Sequence, residues 1–146
     1  MIAPDRWERN LRVVAPGDAV RVDIPRSLHL RQIMQRRAFE LPSGTAVVLR
    51  DAAPGSRWRC RRFARRAGIE LERTYLALPS LSAPAYLVQD APASVRYFCS
   101  AILTVPPGLA VFAGVVEGLL RLVQVVAPWR IVGIFVPGRV AVGRRT

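Results

Sequence analysis

SRWRCRRFARRAGIELERTYLALPSLSAPAYLVQ, residues Ser56 to Gln89, decides how this chain folds. At 100° per residue Cys60, Phe63, Ala64 and Ala67 fall on one side of a helix, while Arg57, Arg61, Arg62, Arg65 and Arg66 spread over the other. The inner face is made of small residues and suits close packing on a sheet. Trp58 lies on the arginine side, where it can stack on a guanidinium. Ser56 is the expected N-cap, since its hydroxyl can accept from an orphan amide of the first turn. Gly68 follows where a left-handed residue ends a helix without a Cβ penalty. Arg65 and Arg66 place positive charge in the last turn, which suits the helix dipole.

The next residues change period. Ile69, Leu71, Tyr75 and Ala77 alternate with Glu70, Glu72, Thr74 and Leu76, which predicts a strand. Leu78 to Pro84 breaks it with two prolines that cannot donate to a ladder. Ala85 to Val88 is apolar again, and two strands joined by such a loop pair antiparallel in the simplest arrangement.

Upstream, Asp5 to Val14 is read as a short helix with Trp7, Leu11 and Val14 on one side. Ala15-Pro16-Gly17-Asp18 reads as a tight turn, and Ala19, Val20, Val22 and Ile24 as a strand closed by Pro25. Ser27 is placed to cap a helix over Leu28 to Ala38, with Leu30, Ile33, Met34 and Arg37 on its more apolar side. Pro42-Ser43-Gly44 is a second turn. Thr45 to Leu49 is apolar enough for a strand buried on both faces. Residues 15 to 89 thus read strand, helix, strand, helix, strand, strand, which is α/β grammar.

Downstream the character shifts. Ser94 to Leu103 reads as a helix with Val95, Phe98, Cys99 and Ile102 inward. Leu109 to Ala127 is almost wholly apolar. Its polar exceptions, Glu117, Arg121 and Gln124, share a stripe, with Glu117 and Arg121 in the favourable i, i+4 order. The segment is near bilayer-spanning length, but a charged pair at its centre makes crossing costly. A buried or partner-covered helix, an interfacial helix and a span are the readings it leaves open, with Trp129 and Arg130 suited to an interface. The last residues, from Ile131, read as a short β-like or extended apolar piece and a basic tail. The division expected is an α/β region over 1–90 and a hydrophobic helical extension over 91–146.

Composition sets the bounds. The chain of 146 residues is one domain by length, and 51% apolar residues exclude disorder. All 22 basic residues are arginine, which fits a GC-rich coding bias, so the choice of arginine over lysine carries little chemistry. The net charge of +12 still attracts nucleic acid, anionic lipid or an acidic partner. The two cysteines, Cys60 and Cys99, stand far apart and lack metal-ligand spacing; buried free thiols are expected. MIAPDRWERNLR has no apolar core of a secretory signal, and with free thiols a cytoplasmic location is expected.

No phosphate loop, dinucleotide fingerprint, zinc-protease helix or nucleophile elbow occurs. His29 is the single histidine and has no nucleophile beside it, so it reads as structural, as does Met34. Glu70 and Glu72 share a strand face and could serve acid–base chemistry, but Arg73 and its neighbours favour a surface ion-pair network. No catalytic, metal or cofactor-binding residue is assigned. Arg57, Trp58, Arg61, Arg62, Arg65 and Arg66 are the candidates for binding an anion or a partner, set against a merely solvated arginine face.

RRFARRAGIELERTYLALPSLSAPAYLVQ resembles the C-terminal end of class I S-adenosylmethionine-dependent methyltransferases. There the last crossover helix runs through an AGF-x-V sequence into one strand, and a loop and a final antiparallel strand complete the sheet. Ala67-Gly68-Ile69 stands at the first position and Ala85 to Val88 at the final strand. The run from Leu11 to Pro25 is similar to that family's L-x-PGG turn and following strand, with Gly17-Asp18 in place of the glycine pair. The resemblance spans residues 8 to 90 and implies a partial Rossmann-like sheet ending in an antiparallel strand pair. The family's cofactor site, a glycine-rich loop after the first strand and an acidic residue ending the second, has no counterpart here. The resemblance therefore implies the back half of such an enzyme, as a truncated, degenerate or split protein. It would bind no cofactor alone, and S-adenosylmethionine only when a protein partner supplies the cofactor half. Its part would be a substrate-side or partner-binding surface, the apolar extension favouring a lipid-linked substrate or another subunit. The rival expectations are a peripheral protein on anionic membrane and, less favoured, a nucleic-acid-binding module.

Overall fold

Val47, Val48 and Leu49 are consecutive, and none is more than 2% exposed. Successive strand residues point to opposite faces, so a strand buried at three positions running must be covered on both sides. This strand is the reference for the rest. The computed structural model describes residues 12–78, 81–82, 84, 86–101 and 138–146. The elements are β1 (Val20–Asp23), α1 (Leu28–Phe39), β2 (Ala46–Asp51), α2 (Ser56–Ala67), β3 (Ile69–Leu78), β4 (Tyr86–Gln89), α3 (Pro92–Ala101) and β5 (Arg139–Arg145). They form a mixed α/β structure on one open five-stranded sheet of order β1-β2-β5-β3-β4.

β1 and β2 are parallel. β5 is antiparallel to both β2 and β3, so β3 runs in the same direction as β1 and β2. β4 turns back antiparallel on β3, pairing Leu76 with Val88 and Leu78 with Tyr86, as the loop between them predicts. The alternation over residues 15–89 is thus borne out as α/β. The β-like reading of the last residues holds over Arg139–Arg145, but this strand, its basic end included, is the middle of the sheet and not a terminal tail. Arg139 through Gly143 are buried, and only Arg144, Arg145 and Thr146 reach the surface. The reason is size: Ala141 and Gly143 lie on the face that α2 covers, where the small inner face of that helix packs closely.

α2 forms where the amphipathic period predicts, and Cys60, Phe63, Ala64 and Ala67 are buried. Its start differs from expectation. Gly55, at φ 73°, is the capping residue, and Ser56 makes no capping bond but is buried in the first turn. The Ser56 amide donates to the Ala53 carbonyl, and the Ala53 amide donates to Asp51 Oδ1, so the turn is closed before Ser56 is reached. Gly68 ends the helix at φ 62°, its amide donating to the Ala64 carbonyl, as expected. Ser27 precedes α1 at the predicted place, but its side chain makes no cap bond. The buried side of α1 is Gln35 and Ala38, with Met34 packed partly on the core, while Leu30 is 52% and Ile33 36% exposed. α1 leans on the flank of α2, and the residues facing that arginine-bearing flank are polar.

The predicted strand alternation over β3 is also corrected. A bulge between Leu71 and Arg73 shifts the register against β5. Ile69 and Leu71 pack with α1 and α2, whereas Tyr75 joins Val48, Val140 and Val142 on the opposite face. An inserted residue reverses the side chains that follow it. Gly143 faces Leu71 at the bulge, and a Cβ there would collide with the Glu70 carbonyl oxygen. α3 is confirmed with Val95 and Phe98 inward, packed on Leu76 and Val88, and Phe98 meets Tyr86 edge-on at 5.3 Å. The expected helix from Asp5 as far as Leu11, the side chain of Cys99, Ile102 and the apolar segment Leu109 to Ala127 lie outside the described residues.

Candidate anion-binding groove

Both α1 and α2 follow parallel strands, so they run alongside each other with their first turns at the same end of the sheet. Between them lies a groove of about 170 Å³. Arg31, Gln32 and Gln35 come from α1, and Trp58, Arg59, Arg62 and Arg66 from α2; Leu28 lies at one end and Phe63 forms the floor. Positions 58, 62 and 66 are spaced by four, which aligns them in one stripe along α2.

Two of the four arginines are committed to the protein. Arg59 Nε donates to Asp51 Oδ2 at 2.7 Å, and its Nη2 donates to the Pro25 carbonyl at 3.0 Å. Arg31 donates to the carbonyls of Pro25 and Arg26. The other two are not. The Arg62 guanidinium lies over the Trp58 ring at 4.8 Å, the stacking that the sequence predicts, and makes no hydrogen bond among the described residues. Arg66 has no partner among them. Asp51 is the one carboxylate felt at Arg31, against the positive charges of Arg59, Arg62 and Arg66. Arg31 is accordingly held below its ordinary value, first by burial and then by Arg59. Gln35 is 8% exposed, lines the groove, and its amide has no hydrogen-bond partner among the described residues.

Of the six residues that the sequence singles out, the groove gathers Trp58, Arg62 and Arg66. Arg61 and Arg65 are exposed outside it. Arg57 turns instead toward a buried charge cluster, where its Nε lies 3.9 Å and Arg139 Nη1 3.4 Å from Asp90 Oδ2. Arg139 is fully buried, which depresses its pKa, and the nearby Asp90 charge opposes that shift. Arg31, Gln32, Gln35 and Arg59 were not among the sequence candidates. The available signal was the spacing of 31, 32 and 35, which puts three polar side chains on one face of a helix.

Elsewhere, Glu72 accepts from Arg144 Nε at 2.9 Å in a surface ion pair, while Glu70 has none among the described residues. His29 is exposed on α1, and Met34 packs on the core. Cys60 is buried and free, its thiol pushed up to about 12 by burial and by the Asp51 charge. Tyr86, Tyr97 and Phe98 border an apolar hollow of about 490 Å³ between β4 and α3. Among the described residues no group of His, Cys, Asp and Glu could hold a metal ion, and no helix is long and apolar enough to cross a membrane. No protein-family model, curated protein or solved structure matches the chain.

Proposed function

We propose that this chain is the methyltransferase-like C-terminal part of a larger α/β assembly. In this reading it is not catalytic alone and offers a substrate-side or partner-binding surface. The observation that carries it is the strand order. β1 and β2 are parallel and joined through a helix, β3 continues their direction, and antiparallel β5 lies between β2 and β3. In this reading Arg139–Arg145 would stand for the family's final antiparallel strand, with Tyr86–Gln89 as a further antiparallel strand beyond β3. β1, a parallel strand, is an edge of the described sheet. Doubly wound sheets are built from two such halves and bind their ligands where the halves meet, outside the carboxyl ends of the strands. A cofactor-bearing half would add on the β1 side. The hollow at Tyr86 and Phe98 suits a hydrophobic acceptor or an apolar partner segment. A cytoplasmic setting, peripheral to a membrane for a lipid-linked substrate, goes with this reading.

Calorimetric titration of S-adenosylmethionine into the purified chain tests it. No binding is expected from this chain alone, and micromolar binding overturns the proposed division of labour. Flotation with anionic and neutral vesicles tests the anionic-membrane reading, which the absence of lipid-dependent partitioning at low salt removes.

A further inference from the structure

We propose that the groove between α1 and α2 is a binding site for a small soluble phosphate monoester. The phosphate lies between Arg62 and Arg66, and the organic part lies against Trp58 and Leu28. This does not rest on the methyltransferase-like reading.

Three independent observations meet in the groove. The first is charge. Arg31 feels three other guanidiniums and one carboxylate, and that carboxylate, Asp51, is engaged by Arg59. An uncompensated positive field in a concave wall concentrates anions. The second is available donors. Arg62 and Arg66 have no hydrogen-bond acceptor among the described residues, and they stand one helical turn apart. Guanidinium forks match phosphate oxygens in geometry as well as in charge. The third is Gln35. Its side chain lines the groove beside the arginines, where its amide nitrogen can donate to a ligand oxygen.

The apolar end sets the ligand's other half. Trp58 is 61% exposed and Leu28 70%, although both border the groove. Arg62 covers one face of the indole. Trp58, Arg62 and Arg66 lie along one stripe of α2 that spans about 12 Å at 1.5 Å per residue. That span offers an aromatic surface at one end and an anion seat at the other. The groove itself has room for a phosphate group and little more, so the organic part extends over the Trp58 edge.

The test is calorimetry on the full chain at about 150 mM salt, where surface attraction is screened beyond roughly 8 Å. The probes are inorganic phosphate, adenosine monophosphate and adenosine. Phosphate and the nucleotide should bind, the nucleotide more tightly, and adenosine should not. Two double variants that remove the same charge are compared, Arg62→Gln with Arg66→Gln and Arg61→Gln with Arg65→Gln. All four arginines are exposed, so both variants fold, which circular dichroism verifies. The first pair should lose at least about tenfold in affinity, and the second should stay within about twofold of the parent. Trp58→Leu should weaken nucleotide binding about tenfold and inorganic phosphate much less, since phosphate loses only the stack that holds Arg62. Equal losses in both double variants mean a response to net charge alone and overturn the site. Absence of phosphate and nucleotide binding at millimolar concentration overturns it too. Binding to phosphatidic acid vesicles without nucleotide binding moves the phosphate to a lipid surface and overturns the soluble ligand. An equal loss of phosphate and nucleotide in Trp58→Leu overturns the placement of the organic part.

Discussion

Arg59 Nε lies 2.7 Å from Asp51 Oδ2, and this pair fastens the first turn of α2 to the end of β2. Asp51 is 1% exposed at its side chain and Arg59 15%. The same guanidinium reaches the Pro25 carbonyl, so one side chain joins both crossover connections. Asp51→Ala should therefore lower stability by about 3–5 kcal/mol, since it leaves a partly buried cation and removes the acceptor for the Ala53 amide. Urea unfolding checks this. A loss below about 1 kcal/mol would mean that the pair is no more than a surface contact.

The Asp90–Arg139 contact carries a second prediction. Asp90→Ala removes a carboxylate 3.4 Å from a fully buried guanidinium and should cost about 3–5 kcal/mol. Replacing both, as Asp90→Leu with Arg139→Met, should recover most of that loss. Thermal melts of the single and double variants decide it, and a double variant no more stable than Asp90→Ala would contradict a charge-based penalty.

Gly143→Ala tests the bulge in β3. The added methyl meets backbone rather than a flexible side chain, so the β3–β5 pairing must shift. A cost of about 3 kcal/mol is expected, at the upper end for overpacking. Gly17→Ala is the control, since no atom lies within 4 Å of a Cβ there. Similar melting temperatures for the two variants would show that the bulge can relax.

Cys60 gives a pH dependence. Its folded pKa is raised from the ordinary 9.0 to about 12, so the native state holds the thiol proton more tightly than the unfolded chain does. The contribution is whole below about pH 9 and is lost as pH rises toward 12, at up to about 1.4 kcal/mol per pH unit. The unfolding free energy of the parent should fall relative to that of Cys60→Ala over that range, and parallel curves would count against a buried thiol. In a Cys99→Ser background Cys60 should also resist a disulfide reagent at pH 8 until the chain is unfolded.

α2 was legible because its period, its small inner face and Gly68 all pointed the same way. β2 was legible because three consecutive apolar residues bounded by turn signals leave few alternatives. The central place of Arg139–Arg145 was not. Its arginines suggest solvent, and nothing local shows that Asp90 meets Arg139 inside the protein. The bulge was hidden for a related reason, since the cue for it, Gly143, lies far along the chain from Leu71. Half of the groove was visible in the arginine helix. The other half, Arg31, Gln32 and Gln35, comes from a helix whose apolar residues drew attention to the opposite side.

The position of β5 has a consequence for how the chain is made. β4 ends at Gln89 and β5 begins at Arg139, yet in the described sheet it is β5 that joins the β1–β2 and β3–β4 pairs. On the ribosome, those two pairs emerge first and each carries a bare edge until β5 arrives. The sheet closes by insertion, not by growth at a side. Such late, long-range pairing is slow and leaves strand edges open to wrong partners in the interval. Synthesis of this protein should therefore be more sensitive to translation pausing and chaperone supply after Gln89 than before it.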